Sequence, residues 1–147
     1  FGPPWVRGFK AKEQRYLRLE QRMMEDCVRK NRVIDLSGSG VHHPRALHRI
    51  HRAALMIYLK TDATLRRRNI EKFFRRPKPV CWNGLFHKED TETGKQALRR
   101  LYPELLKVRA AICEKFADVT LNARHFKKKS EKNIEDFIAA IAEQLPS

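Results

Sequence analysis

The apolar residues of this chain recur mostly at steps of three and four, which is the periodicity of an amphipathic helix. From Lys10 to about Ile34 the sequence has neither Gly nor Pro, and good helix formers dominate it. The pattern predicts a long helix with a narrow apolar seam and otherwise charged faces. The seam consists of residues spaced along one side of that helix: Tyr16, Leu19, Met23 and Cys27.

Shorter helices are predicted next along the chain. Pro44 suits the first turn of a second helix, and Thr61 or Asp62 is a suitable N-cap for a third that reaches about Phe74. The apolar stripe of the second helix is Leu47, Ile50, Ala54 and Ile57. Residues 75–93 contain two prolines and a glycine, and they predict an irregular connector.

A second long helix is predicted from about Lys95 to about Asn122, restarted or kinked at Pro103. Ser130 is a suitable N-cap for a C-terminal amphipathic helix, whose apolar spacing is the most regular in the chain. No segment alternates apolar and polar residues as a half-buried strand would. The pattern therefore predicts an all-α fold.

Two regions are predicted within that fold. Residues 1–40 would hold an extended N-terminal arm, the long charged helix and a flexible hinge at Ser37-Gly38-Ser39-Gly40. Residues 41–147 would form a helical domain.

The charge of the chain changes this picture from a plain helical protein to one that binds a polyanion. The 147 residues contain 32 Lys and Arg against 17 Asp and Glu, a formal net charge of +15 at pH 7. Solubility needs a net charge of only about 2 to 8 in a small domain. Because neutralising phosphates releases counterions, nucleic acid is the partner that such an excess favours most.

The basic residues are clustered, and arginine outnumbers lysine in the first clusters, which suits bidentate contacts to phosphate. Arg45, Arg49 and Arg52 share one face of the second helix, opposite its apolar stripe. The predicted nucleic-acid-binding residues are Arg45, Arg49, Arg52, Arg66, Arg67, Arg68, Arg75, Arg76, Lys78, Lys127, Lys128 and Lys129.

Motifs for catalysis or for a cofactor are not evident in the sequence. The Ser37–Gly40 segment lacks the GxxxxGK[ST] spacing of a phosphate-binding loop and the GxSxG spacing of a nucleophile elbow. Three widely spaced cysteines form no CxxC pair, and the histidines near His48 are surrounded by arginines, which oppose a cation. We therefore predict no enzyme activity, no cofactor and no metal.

These observations predict a structural RNA-binding component of a ribosome, which contacts rRNA and neighbouring proteins of a ribonucleoprotein assembly. A mitochondrial matrix location is favoured, since the chain begins at Phe1 and not at Met, as it would after removal of a presequence. One alternative is a helix-turn-helix DNA-binding protein within 43–74. A second is a protein-interaction subunit of a membrane or metabolic complex, without stable insertion in the membrane, because no apolar run is long enough.

Overall fold

The computed structural model describes residues 2–28, 31–126 and 131–145, with the side chains of residues 131 and 132 left out. One 3₁₀ turn, Gly40–His42, precedes the second α-helix. The α-helices and strands in chain order are α1 (Phe9–Asp26), α2 (Pro44–His51), β1 (Ile57–Lys60), α3 (Ala63–Arg75), α4 (Gly94–Phe116), β2 (Val119–Asn122) and α5 (Glu131–Ala142).

The two strands pair in parallel, in a register that runs from Ile57 opposite Val119 to Lys60 opposite Asn122. The prediction of an all-α fold is therefore wrong, and the chain is of the α/β type. Each strand has only four residues, which is too short for alternation to be distinguished from a helical repeat. The sequence pattern had placed Ile57 in the apolar stripe of the second helix, and the residues of β2 at the end of the second long helix.

The connection between the strands is a crossover, as parallel pairing requires. It runs through α3, an irregular connector and α4. The start of the pair is held by Asp118, whose carboxylate accepts a hydrogen bond from the backbone N–H of Met56 at 2.7 Å and lies 3.0 Å from Nε2 of His51. A side chain just before β2 thereby ties the end of α2 to the start of β1.

The buried face of α1 is not the predicted seam. Tyr16, Leu19 and Met23 are 40%, 50% and 72% exposed. The residues of α1 that are buried instead include two carboxylates, and they are Phe9, Glu13, Leu17, Glu20 and Met24. Apolar periodicity alone missed this face because buried acids count as polar in any hydropathy pattern.

α1 also ends earlier than predicted. The backbone N–H of Cys27 donates to the carbonyl of Met23 at 3.0 Å and closes the last turn. Leu36 then packs against the second core cluster, so the chain must turn back along α1 after that helix ends. A helix continued to Ile34 would carry Leu36 away from that core.

Two apolar clusters hold the helices together, and α1 contributes to both. The first contains Trp82, which is 1% exposed, among Phe9, Ala97, Leu98, Leu101 and Leu105. The second contains Met24, Ala46, Leu47, Ile50 and Phe116. α1 is held near both ends, by Phe9 in the first cluster and Met24 in the second, and it packs directly against α2. The division of the chain after residue 40 stays a prediction.

In the part of the chain that the structure describes, no helix combines the length and the apolar character needed to cross a bilayer.

Candidate functional site

The loop at Ser37–His43, between α1 and α2, is organised by the carboxylate of Glu20. Oε1 of Glu20 accepts hydrogen bonds from the hydroxyls of Ser37 and of Ser39, the latter at 2.6 Å. Oε2 lies 2.8 Å from Nε2 of His43. These residues are 17 to 23 positions from Glu20 in the sequence, so the carboxylate fixes the loop against a helix formed much earlier in the chain.

Glu20 is 9% exposed and yet ionised. Burial acts to raise its pKa, but the side-chain hydrogen bonds that it accepts outweigh burial and hold the pKa below the ordinary value of 4.5. Its four hydrogen-bond partners are Ser37, Ser39, His43 and Tyr16. A buried carboxylate is tolerated only when its oxygens are hydrogen-bonded in this way.

Arg109 of α4 faces the same loop from the other side. Its Nη2 donates to the backbone carbonyl of Cys81 at 2.7 Å. A Cβ placed on Gly38 would lie 3.0 Å from Nη1 of Arg109, so glycine lets the loop backbone approach the guanidinium closely.

The guanidinium of Arg109 is only partly satisfied. Its Nε is buried without a hydrogen-bond partner, and burial lowers its pKa. Among the described residues no carboxylate forms an ion pair with it, and the ionised carboxylate of Glu20 acts on it only from beyond ion-pair distance. Because arginine remains charged in proteins, the site holds a half-buried positive charge that no carboxylate of the described residues contacts directly.

His42 lies beside this cation and is uncharged at neutral pH. Burial, together with the positive charge of Arg109, lowers its pKa from 6.5 to about 4. Its Nε2 is buried and has no partner among the described residues. Burial also raises the pKa of the Cys81 thiol to about 11, so this side of the site is neutral apart from Arg109.

The carbonyl that receives Arg109 is itself held by a second buried acid. Glu13 is 3% exposed and accepts hydrogen bonds from the backbone N–H groups of Trp82 and of Asn83, the latter at 3.2 Å. Asn83 and Gly84 both have positive φ, 48° and 85°, which makes the tight turn after Trp82. Glu13 therefore fixes the segment that presents the Cys81 carbonyl.

The basic residues predicted from the sequence lie elsewhere, in two groups. Arg45, Arg49 and Arg52 lie on the exposed side of α2 and, with His48, line an open cavity of about 540 Å³. Arg68 and Arg75 lie along a cavity of about 580 Å³ on α3, which Lys72 also lines.

The other predicted residues are not brought into either cavity. Arg66 is half-buried, and Arg67 is 3.9 Å from Glu71 in an exposed ion pair. Arg76 and Lys78 are exposed in the connector after α3. Lys127, Lys128 and Lys129 lie outside the described residues. A role of these side chains in binding stays a prediction.

The residues that form the site were not predicted, although two signals for them exist. Glu13 and Glu20 are seven residues apart, on the same side of α1 as Leu17 and Met24, so they interrupt an otherwise apolar face. Arg109 likewise lies between apolar residues of α4. A charged residue inside an apolar stripe indicates a buried charge, and perturbed buried charges are frequent at functional sites.

Comparison with known proteins identifies the family of the chain. The family model described as SKI: Shikimate kinase matches residues 7–143, whereas no curated protein and no solved structure matches the chain. The chain belongs to a kinase family, so the predictions of a ribosomal protein, of rRNA and ribonucleoprotein partners, and of a protein without enzyme activity are wrong.

Neither the DNA-binding alternative nor the accessory-subunit alternative had predicted a kinase. The mitochondrial location is untouched by the comparison and stays a prediction. The match covers both buried acids of α1, the Ser37–His43 loop, Arg109 and both strands, and it shows that the chain belongs to the shikimate kinase family.

Proposed function

We propose that this chain binds the phosphoryl acceptor of a kinase reaction where the Ser37–His43 loop meets Arg109. The acceptor is a small hydroxylated carboxylate of the shikimate type. The observation that carries the proposal is the half-buried guanidinium of Arg109, which has a buried Nε without a partner and no ion pair within the described chain.

A charge in that position is unfavourable unless an anion completes it. A carboxylate fits the planar donor edge of a guanidinium through two parallel hydrogen bonds. Gly38 keeps a side chain away from Nη1, because a Cβ there would lie 3.0 Å from that nitrogen. The family name supplies a matching ligand, since shikimate is a ring carboxylate that carries hydroxyl groups.

The loop offers partners for hydroxyl groups beside this cation. The hydroxyls of Ser37 and Ser39 donate to Glu20, which leaves lone pairs on both oxygens as acceptors. The neutral imidazole of His42 has a free ring nitrogen. These groups bind and orient an acceptor; they do so without a second positive charge that would attract phosphate in place of carboxylate.

The nucleotide is not assigned to any of these residues. The 147 residues contain no GxxxxGK[ST] segment, and such a loop cradles phosphates through successive backbone N–H groups. The Ser37–His43 loop is instead held through hydrogen bonds of its own side chains to the carboxylate of Glu20. What these residues contribute is the binding and orientation of the acceptor.

The test is calorimetric titration of the chain with shikimate, compared with a ring polyol that lacks the carboxylate. We expect the chain to bind shikimate and not the polyol. Arg109→Ala should weaken binding by about 10- to 100-fold, the loss expected for charge-assisted hydrogen bonds. Arg109→Lys should recover only part of it, because an ammonium has no planar fork.

Lys107→Ala is the matched control, since it removes an exposed charge from the same helix, where Lys107 pairs with Glu104 and with no other acid of the described residues. Far-UV circular dichroism checks that each variant is folded. Failure of the native chain to bind shikimate, or equal binding by Arg109→Ala, would contradict the proposal.

A further inference from the structure

We propose that α2 carries a second anion site, formed by Arg45, His48, Arg49 and Arg52, whose ligand is a phosphate-bearing small molecule. This goes beyond the acceptor site, because none of these four residues contacts the guanidinium of Arg109 or the carboxylate of Glu20 in the hydrogen bonds and ion pairs of the described chain.

The first support is the composition of the cavity. Its lining consists of three arginines and a histidine, with no acid among them. The nearby carboxylate of Asp118 is directed to His51, at 3.0 Å, and to the backbone of Met56. Within the described ranges no ion pair reaches the three arginines, so their charge is left for a ligand.

The second support is the spacing along the helix. Arg45, Arg49 and Arg52 follow one another at steps of four and three, so they are neighbours on one face. Like charges at these steps destabilise a helix, and a bound anion removes that repulsion. Three guanidinium groups can surround a phosphate with paired donors, which lysines in the same places would not provide.

The third support is that the helix presenting them is rigidly held. The opposite face of α2 is fully packed, with Ala46, Leu47 and Ile50 at 0%, 3% and 2% exposed. The ring of His48 is held edge-on against Phe116, with centroids 4.8 Å apart. The cations are therefore mounted on a preformed surface, which lowers the entropic penalty of binding.

The extent of the charged surface favours a small ligand over a long polymer. About 540 Å³ lies within the ordinary range of small-molecule pockets, and the charge is confined to one short helix. A nucleic acid binds along an extended basic surface, and this face of α2 is too short to provide one.

The experiment is calorimetric titration of the full chain with pyrophosphate in a low-salt buffer free of phosphate. We expect saturable binding at one site, and a loss of about tenfold or more in the Arg45→Gln/Arg49→Gln variant. Both side chains are exposed, so folding should survive the change. The matched control, Arg67→Gln/Arg68→Gln, removes the same charge from exposed positions of α3 and should bind within about twofold of the native chain.

Each other outcome overturns the proposal. Equal losses in both double variants would mean general attraction to a basic protein, and a loss confined to the α3 variant would place the site there. Tighter binding of a short oligonucleotide than of pyrophosphate through the same arginines would mean a polymer surface. Shikimate binding, measured in parallel, should be unchanged in the α2 variant, so this proposal and the acceptor proposal fail separately.

Discussion

Replacement of Glu20 by alanine should destabilise the protein strongly, because one carboxylate satisfies several donors at once. Ser39 and His43 are only 8% and 5% exposed, so bulk water cannot replace the hydrogen bonds that they lose with Glu20. Each buried polar group left unsatisfied costs about 1–3 kcal/mol. The hydroxyl of Ser37 is in an exposed residue, and water replaces its lost bond.

Two buried donors and a small cavity together give an expected loss of about 3 kcal/mol in the free energy of unfolding. In a chain of this length that corresponds to a fall in Tm of about 6–12 °C. Urea unfolding followed by far-UV circular dichroism measures it, with the m-value checked for constancy. A loss below about 0.5 kcal/mol would refute the reasoning, since surface substitutions commonly stay within that range.

The matched control is Glu25→Ala on the same helix, where the carboxylate accepts from Gln21 at 2.9 Å and from no other residue in the described part of the chain. It should lose about 0.5 kcal/mol or less, as for a single helix-surface pair. A double-mutant cycle of Glu20→Ala with Ser39→Ala should show a coupling of about 1 kcal/mol, because the two residues share one hydrogen bond. Simple additivity would mean that Glu20 does not hold the loop.

The pKa of Glu20 fixes the sign of its pH dependence. A carboxyl whose folded pKa lies below its ordinary value of 4.5 stabilises the fold above that value, and loses the contribution as the pH falls through the folded pKa. The difference in unfolding free energy between the native chain and Glu20→Ala should therefore be constant near neutral pH and shrink below about 4.5. A difference that grows on acidification would contradict this linkage.

Three further predictions concern the surroundings of the site. The pKa of His42 is lowered from 6.5 to about 4, so as the pH falls through this range the unfolded chain is protonated before the folded one and the free energy of unfolding decreases. His42→Phe should flatten that decrease in urea unfolding measured as a function of pH. Gly38→Ala would place a Cβ 3.0 Å from Nη1 of Arg109, so it should displace the guanidinium and weaken shikimate binding by about tenfold; unchanged binding would mean that the loop does not contact the ligand. Gly94→Ala would place a Cβ 2.2 Å from the indole of Trp5, so it should expel this rigid ring, with a red-shifted fluorescence and a loss of about 1–3 kcal/mol.

The helix caps show how far local sequence determines this structure. Thr61 or Asp62 was predicted as the N-cap of α3, and the structure shows that it is Asp62, whose carboxylate accepts from the backbone N–H of Leu65 at 2.7 Å. Thr93 caps α4 through a reciprocal capping box with Gln96. These interactions span three residues, so the identity of the cap and its neighbours suffices to predict them.

The charge pattern predicted which residues lie on the protein surface, but it did not predict the function. The arginines of α2 were correctly expected on the face opposite Leu47 and Ile50, because helical spacing decides this. Net charge describes which partners a surface attracts, whereas an activity depends on particular groups in a site. The assignment to a ribosome rested on the charge, and the family match overturned it.

By itself the sequence determined where the helices begin, the local caps of α3 and α4 and the exposure of the basic residues of α2, since each depends on residues within a few positions of one another. Only the tertiary structure decided the pairing of β1 with β2, which joins Ile57 to Val119. It also brought Glu20 to the Ser37–His43 loop and Arg109 to Cys81. Contacts across such separations leave no periodic trace in the sequence, because their energy is gained only when distant segments have already packed together.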